Sequence, residues 1–112
     1  MELIGRVEGD DVLVIALRED KLDAVNVKDF KDAAQALIHG RMKVVLDMTG
    51  VTFVDSSGLG ALISCLRELT ARKGDFRLCG MLPKVRALFE LMRMHRVFSI
   101  YESRADAVAS FD

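Results

Sequence analysis

The sequence has no excess of charge of either sign and no long hydrophobic run. Its 112 residues carry a formal net charge of −1, with acidic and basic side chains interspersed, so no cationic surface for nucleic acid or an anionic membrane is predicted. No stretch approaches the roughly 18 apolar residues of a membrane-spanning helix, and residues 1–6 lack the features of a secretion signal. We expect a soluble, cytoplasmic protein that binds other proteins and does not insert directly into a membrane.

The two cysteines form no recognisable metal or redox motif. Cys65 falls on the apolar face of a predicted helix and Cys79 in an apolar strand, and no CxxC pair is present. This placement predicts two buried free thiols in a reducing compartment. The isolated His39 and His95 suggest no metal site either. We therefore expect neither a metal nor a cofactor.

Three signatures of catalysis or nucleotide binding are missing around the segment Asp-Ser-Ser-Gly-Leu-Gly at residues 55–60. Glycine does not stand two residues before either serine, which argues against the G-x-S-x-G elbow of acyl-transfer enzymes. The glycine pair lacks the third glycine of the dinucleotide fingerprint, and no G-x-x-x-x-G-K-[ST] loop occurs. Two hypotheses remain for the serines: they cap a helix, or they are modified rather than catalytic.

The hydrophobic pattern predicts one α/β domain spanning residues 1–112, since 51% of the residues are hydrophobic. Two strands joined by a Gly-Asp-Asp turn read as a hairpin, and the rest alternates between strands and helices, which favours right-handed crossovers. We expect a small mixed, mostly parallel sheet with an N-terminal hairpin and about four helices. Strands are predicted at 3–8, 12–17, 43–48 and 76–79, and a last strand or extended segment at 97–101. Helices are predicted at 24–39, at 57–73, from Pro83 and around 105–111. The helix from Pro83 is expected to have a buried stripe of Val85, Leu88, Phe89 and Met92.

The segment around residue 55 joins an apolar strand to a strongly periodic helix. Asp55 or a neighbouring hydroxyl is placed to cap that helix, whose N-terminus also favours an anion. Leu62, Ile63 and Leu66 are expected to pack the helix into the core. In open α/β sheets, sites form beyond the carboxyl ends of the strands, and we expect Asp23 and Asp55 at that edge.

These residues carry a family resemblance. The segment from Val45-Leu46-Asp47 to Phe53-Val54-Asp55-Ser56-Ser57-Gly58-Leu59-Gly60 resembles the signature of STAS domains. It is most similar to that of the single-domain anti-sigma factor antagonists, or anti-anti-sigma factors, of bacterial partner-switching systems. Leu22-Asp23 is similar to the family's G-x-L-D turn, although this chain has Glu19-Asp20-Lys21 where the family usually has glycine. The segments 85–89 and 97–101 resemble its C-terminal half.

The resemblance implies a switch and not an enzyme. It implies that Ser56 is phosphorylated by a GHKL-type serine kinase that is also the anti-sigma factor, and that a PP2C-like phosphatase reverses this. The unphosphorylated protein would bind the kinase and release its other partner, and phosphorylation would end that binding. The alternatives are a STAS subunit of a transporter, or a non-sigma output such as secretion or biofilm control. The resemblance assigns the motif and partner-binding roles to Asp23, Asp55, Ser57, Gly58, Leu59 and Gly60.

Overall fold

A five-stranded sheet organises the chain in the computed structural model, which describes residues 1–112. Its strand order is β1-β2-β4-β6-β7, and only the β1–β2 hairpin is antiparallel. β3 and β5 pair with each other in a separate small sheet. The α/β fold with a mostly parallel sheet and an N-terminal hairpin is therefore confirmed. The strands are β1 (Leu3–Glu8), β2 (Val12–Leu17), β3 (Lys21–Leu22), β4 (Lys43–Asp47), β5 (Phe53–Val54), β6 (Asp75–Cys79) and β7 (Ile100–Tyr101).

The chain has four helices, as the sequence predicts, of which the last follows β7. They are α1 (Val27–Ile38), α2 (Ser56–Ala71), α3 (Pro83–Leu91) and α4 (Arg104–Ala109), and a 3-10 turn at Met94–Arg96 follows α3. None of the helices is both long enough and apolar enough to cross a bilayer.

Two predicted features of the helices are wrong. The first helix begins at Val27 and not at residue 24, because the preceding residues form a turn in which the Asp23 carbonyl accepts from the N–H groups of Asn26 and Val27. Met92 was expected in the buried stripe of α3, yet 43% of it is exposed. The reason is that α3 ends at Leu91 and Arg93 adopts a left-handed conformation with φ of 60°, so Met92 does not continue the helical stripe.

The main core lies between one face of the sheet and helices α1, α2 and α3. Leu62 is fully buried in this core, and the half-buried side chains of Ile63 and Leu66 pack against the core. The predicted packing of α2 is therefore confirmed. A smaller apolar cluster covers part of the opposite sheet face under α4. Cys65 belongs to the main core and Cys79 to the smaller cluster, and burial raises the pKa of each thiol to about 12.

Arg104 fastens α4 to the sheet. Its guanidinium donates to the Asp47 carboxylate through Nε at 3.2 Å and Nη2 at 2.8 Å, and to Glu8 through Nη1 at 3.2 Å. Burial alone would raise the pKa of Asp47, but hydrogen bonds from the hydroxyl and N–H of Thr49 and from Arg104 outweigh it and lower that pKa. A charged residue is thus held at the end of the central strand with its partners in place.

The packing of α2 can be tested by truncating one leucine in the core and one on the surface. Leu62→Ala should lower the free energy of unfolding by about 2–5 kcal/mol, because it opens a cavity in a fully buried site. Leu91→Ala is the matched control, since Leu91 is 82% exposed and its truncation should change stability by less than about 0.5 kcal/mol. Urea unfolding of the three proteins measures both values. Similar values for the two variants would contradict the position of α2.

Candidate functional site

Two short strands outside the main sheet bring the segment after β5 against the loop before α1. Lys21 pairs with Phe53 and Leu22 with Val54 in a parallel register. The N–H of Asp55 adds a hydrogen bond to the Leu22 carbonyl at 3.2 Å. The segments after β3 and β5 therefore leave the same end of this small sheet. This arrangement joins the neighbourhoods of Asp23 and Asp55 as predicted, but through a strand pair that the sequence pattern did not reveal.

The carboxylate of Asp55 links these two segments. One oxygen, Oδ1, accepts from the Gly58 N–H at 2.9 Å and caps α2, and the other, Oδ2, accepts from the Ala24 N–H at 3.0 Å. The hydrogen bond from Gly58, with the weaker one from Ala24, lowers the pKa of the Asp55 carboxyl below its ordinary value. The charged form of Asp55 thus holds both the start of α2 and the loop between β3 and α1.

Asp23 shapes that loop from within. Its side chain accepts from the Val25 N–H at 3.0 Å, and its own N–H donates to Asn26 Oδ1 at 3.0 Å. The side-chain amide of Asn26 in turn donates through Nδ2 to the Lys21 carbonyl at 2.8 Å. These bonds fold residues 23–26 into a turn that presents the Ala24 N–H to Asp55. The interactions of Asp23 are therefore local. It shapes the loop in what we call the corner, which consists of the loop at residues 23–26 and the segment at residues 55–60 where α2 begins.

The two glycines of the motif have different surroundings. Gly58 is buried, and a Cβ there would overlap the carbonyl oxygen of Leu22, so only glycine lets α2 approach β3 this closely. Gly60 is exposed, and a Cβ there would meet nothing within 4 Å. Leu59 between them is 6% exposed and belongs to the main core. Packing inside the chain accounts for Gly58 and Leu59 but not for Gly60.

The two serines also differ in exposure. Ser56, the first residue of α2, is exposed, whereas Ser57 is half-buried. Asp55 provides the side-chain cap, so the Ser56 hydroxyl is not needed for it. Since residues four apart share a helix face, Ser56 lies in line with the exposed Gly60 and Ser64, whose hydroxyl donates to the Gly60 carbonyl at 3.1 Å. This face of α2 is therefore small, polar and open.

Two exposed apolar side chains flank the corner and were not predicted. Val25 is 91% exposed in the turn that Asp23 shapes, and Phe53 is 48% exposed in β5. The alternation of sides along a strand makes one of Phe53 and Val54 face outward, but the sequence did not reveal which side would be covered. No group of three or more His, Cys, Asp or Glu side chains is placed to hold a metal ion. The corner thus offers an exposed hydroxyl on a rigid support, beside apolar groups suited to contact a protein.

The unequal roles of the two glycines lead to a prediction about stability. Gly58→Ala should lower the free energy of unfolding by about 1–3 kcal/mol, because the added methyl group forces α2 away from the Leu22 backbone. Gly60→Ala should raise it by about 0.5–1 kcal/mol, because alanine favours a helix and meets no neighbour here. Thermal and urea unfolding can measure both changes. Destabilisation by both substitutions would show that Gly60 has a packing role after all.

The sequence and the fold are both similar to those of known proteins. The family described as the STAS domain matches residues 6–107. BtrV of Bordetella bronchiseptica, which is named as an anti-sigma factor antagonist, is 28% identical over 102 residues that cover 90% of this chain and 88% of BtrV.

Solved structures share the architecture. The anti-sigma factor antagonist SpoIIAA in its unphosphorylated form superimposes with a TM-score of 0.78 at 21% identity, covering 98% of this chain and 96% of that one. The Bacillus SpoIIAA in its phosphorylated form gives a TM-score of 0.70 at 19% identity, covering 99% and 100%. Part of the murine anion transporter Slc26a9 gives 0.70 at 23% identity, covering 88% of this chain and 17% of the transporter. Since the family match spans residues 6–107, the chain belongs to the STAS domain family.

Proposed function

We propose that this protein is a cytoplasmic anti-sigma factor antagonist that phosphorylation of Ser56 switches off. The unphosphorylated form binds an anti-sigma factor that is also a GHKL-type serine kinase, and this binding releases the kinase's other partner. The kinase phosphorylates Ser56, and a PP2C-like phosphatase removes the phosphate. In this role the protein acts by binding and not by catalysis.

The observation that carries the proposal is the position of Ser56. Its side chain is exposed at the first position of α2, while the neighbouring Asp55 supplies the helix cap. A serine needed for capping would have its hydroxyl occupied, and a buried serine would be out of reach of a kinase. Ser57, which is half-buried, is the poorer substrate. The names of the relatives and the phosphorylated form of SpoIIAA, which has this fold, support the same reading.

Phosphorylation at this position would change the surface and spare the fold. A phosphate adds roughly −1.5 to −2 charges, which the positive end of the α2 dipole tolerates. The neighbouring Asp55 is itself negatively charged and cannot pair with the phosphate. The added charge therefore remains unpaired on the surface that a partner would contact. An unpaired charge that is desolvated in an interface costs several kcal/mol, and each 1.4 kcal/mol is about tenfold in affinity. Loss of partner binding follows.

The surface around Ser56 fits a protein partner. Val25 and Phe53 present apolar area, and Gly60 leaves space one helical turn beyond Ser56. A partner can approach the α2 backbone closely at Gly60 because no side chain intervenes. We assign to this docking surface Val25, Phe53, Ser56, Gly60 and Ser64, with Asp23, Asp55, Ser57, Gly58 and Leu59 supporting it from within.

The fold does not by itself choose between a switch and a transporter subunit, because part of Slc26a9 has the same architecture. The exposed Ser56 favours the switch, since a purely architectural STAS subunit needs no accessible hydroxyl at this corner. A secretion or biofilm output in place of a sigma factor would use the same docking surface. The identity of the protein that the kinase releases distinguishes these outputs.

The switch can be tested by isolating the kinase with a variant that it cannot modify. Ser56→Ala should capture a GHKL-type kinase from an extract of the source bacterium, because removing one exposed hydroxyl alters little of the docking surface. Incubation with that kinase and ATP should phosphorylate the native chain and Ser57→Ala, but not Ser56→Ala. Mass spectrometry locates the phosphate, and calorimetry should find that it weakens kinase binding at least about tenfold. Phosphate on Ser57 alone, or equal affinities of the two forms, would refute the proposal.

The docking surface can be tested without phosphorylation. Val25→Ser should weaken binding of the captured kinase about tenfold, because a 91% exposed apolar side chain, in the turn that Asp55 holds against the start of α2, would be buried in the complex. Val97→Ser provides the matched control: Val97 is 45% exposed but lies after the 3-10 turn that follows α3, outside the corner. Both variants should unfold at nearly the same denaturant concentration as the native chain. Equal losses of affinity in the two variants would place the interface elsewhere.

A further inference from the structure

A cleft lies on the face of the sheet that α1, α2 and α3 do not cover. α4 shields only part of this face, and beside it the β1–β2 hairpin is open. The cleft has a volume of about 280 Å³, and an adjoining cavity of about 250 Å³ shares Ala16, Arg18 and Arg104 with it. Ile4, Val14 and Ala16 form an apolar floor, and the three charged side chains of the cleft itself are all arginines: Arg6, Arg18 and Arg104.

The hairpin register explains why two of these arginines meet here. Ile4 pairs with Ala16 and Arg6 with Val14. Because alternate residues of a strand share a face, Arg18 projects from the same side as Ala16, and Arg6 from the same side as Ile4. Neither Arg6 nor Arg18 is among the side chains that form a salt bridge within 4.0 Å. Two unpaired guanidinium groups thus flank one apolar floor.

Arg104 supplies a third, pre-oriented guanidinium. Asp47 and Glu8 accept from it through three N–H···O contacts, which fix the plane of the group. A guanidinium has five N–H donors, so two remain for a ligand. Asp47 and Glu8 are already engaged with Arg104, while Glu2 and Glu19 line a neighbouring cavity that shares Arg18 with this cleft. The cleft itself therefore presents donors and no free carboxylate.

We propose that this cleft binds a small molecule that carries two or more adjacent phosphate groups. Guanidinium groups match phosphate oxygens in pairs, and three of them around one cleft suit a compact polyanion better than a single charge. The two adjoining cavities together have the size of a small-ligand site. The site lies on the sheet face away from the main core and uses none of the residues of the Ser56 corner, so it is independent of the phosphorylation switch.

The probe for this site is inorganic pyrophosphate, titrated into the ¹⁵N-labelled chain at constant ionic strength. We expect saturable shifts of the amide signals of residues 4–6, 14–18 and 104, with one binding site per chain. Arg6→Gln and Arg18→Gln should each weaken binding at least about tenfold, because each removes one phosphate partner. Arg67→Gln is the matched control: Arg67 is exposed on α2, forms no salt bridge and lines none of the cavities described. It should bind as the native chain does.

Arg104 is left unchanged in this test, because its replacement would also leave the Asp47 carboxylate without its guanidinium partner. Without ligand, the spectra of Arg6→Gln and Arg18→Gln should match that of the native chain outside the cleft, which verifies that both variants are folded. The proposal is overturned if sodium chloride alone reproduces the shifts, if Arg67→Gln weakens binding as much as Arg18→Gln, or if the shifts fall on residues 55–58 at the start of α2.

Discussion

The corner depends on one carboxylate. Asp55 accepts from the Gly58 N–H with one oxygen and from the Ala24 N–H with the other, so a single side chain caps α2 and holds the loop before α1. The same two bonds keep the pKa of Asp55 low, so it is charged when it does this. The β3–β5 pair carries the two segments close enough for that bridge to form. The bridge therefore fixes the start of α2, where Ser56 is exposed, relative to the loop before α1.

Within the motif at residues 55–60, some residues support the fold and others are exposed to solvent. Asp55, Gly58 and Leu59 are accounted for by bonds and packing inside the chain. Ser56 and Gly60 have no such internal role and face solvent on one side of α2. In the proposed switch, phosphorylation of Ser56 therefore changes the exposed surface, while the core and the helix cap stay as they were. A binding switch requires that combination, in which the modified residue stands on a rigid element but contributes little to its stability.

The two faces of the five-stranded sheet are covered to different extents. The face under α1, α2 and α3 carries the main core, and the other is closed by α4 only in part. Arg104 fastens α4 by way of Asp47 and Glu8, and it also becomes a wall of the cleft over the hairpin. The proposed docking surface at the Ser56 corner and the proposed ligand cleft thus use residues of different elements.

The features that could be predicted from the sequence are those that depend on residues close together in the chain. Periodicity placed the hairpin, the main strands and α2 with Leu62 in the core, and the Asp-Ser-Ser-Gly-Leu-Gly segment indicated both the cap and the family. The folded structure was needed to show that α3 stops before Met92, that β3 pairs with β5, that Val25 is exposed, and that Arg104 contacts Asp47, 57 positions away in the chain. The reason is physical: spacing along the chain records which faces of a segment are apolar. Which distant backbone comes to lie against each face depends on the path of the whole chain.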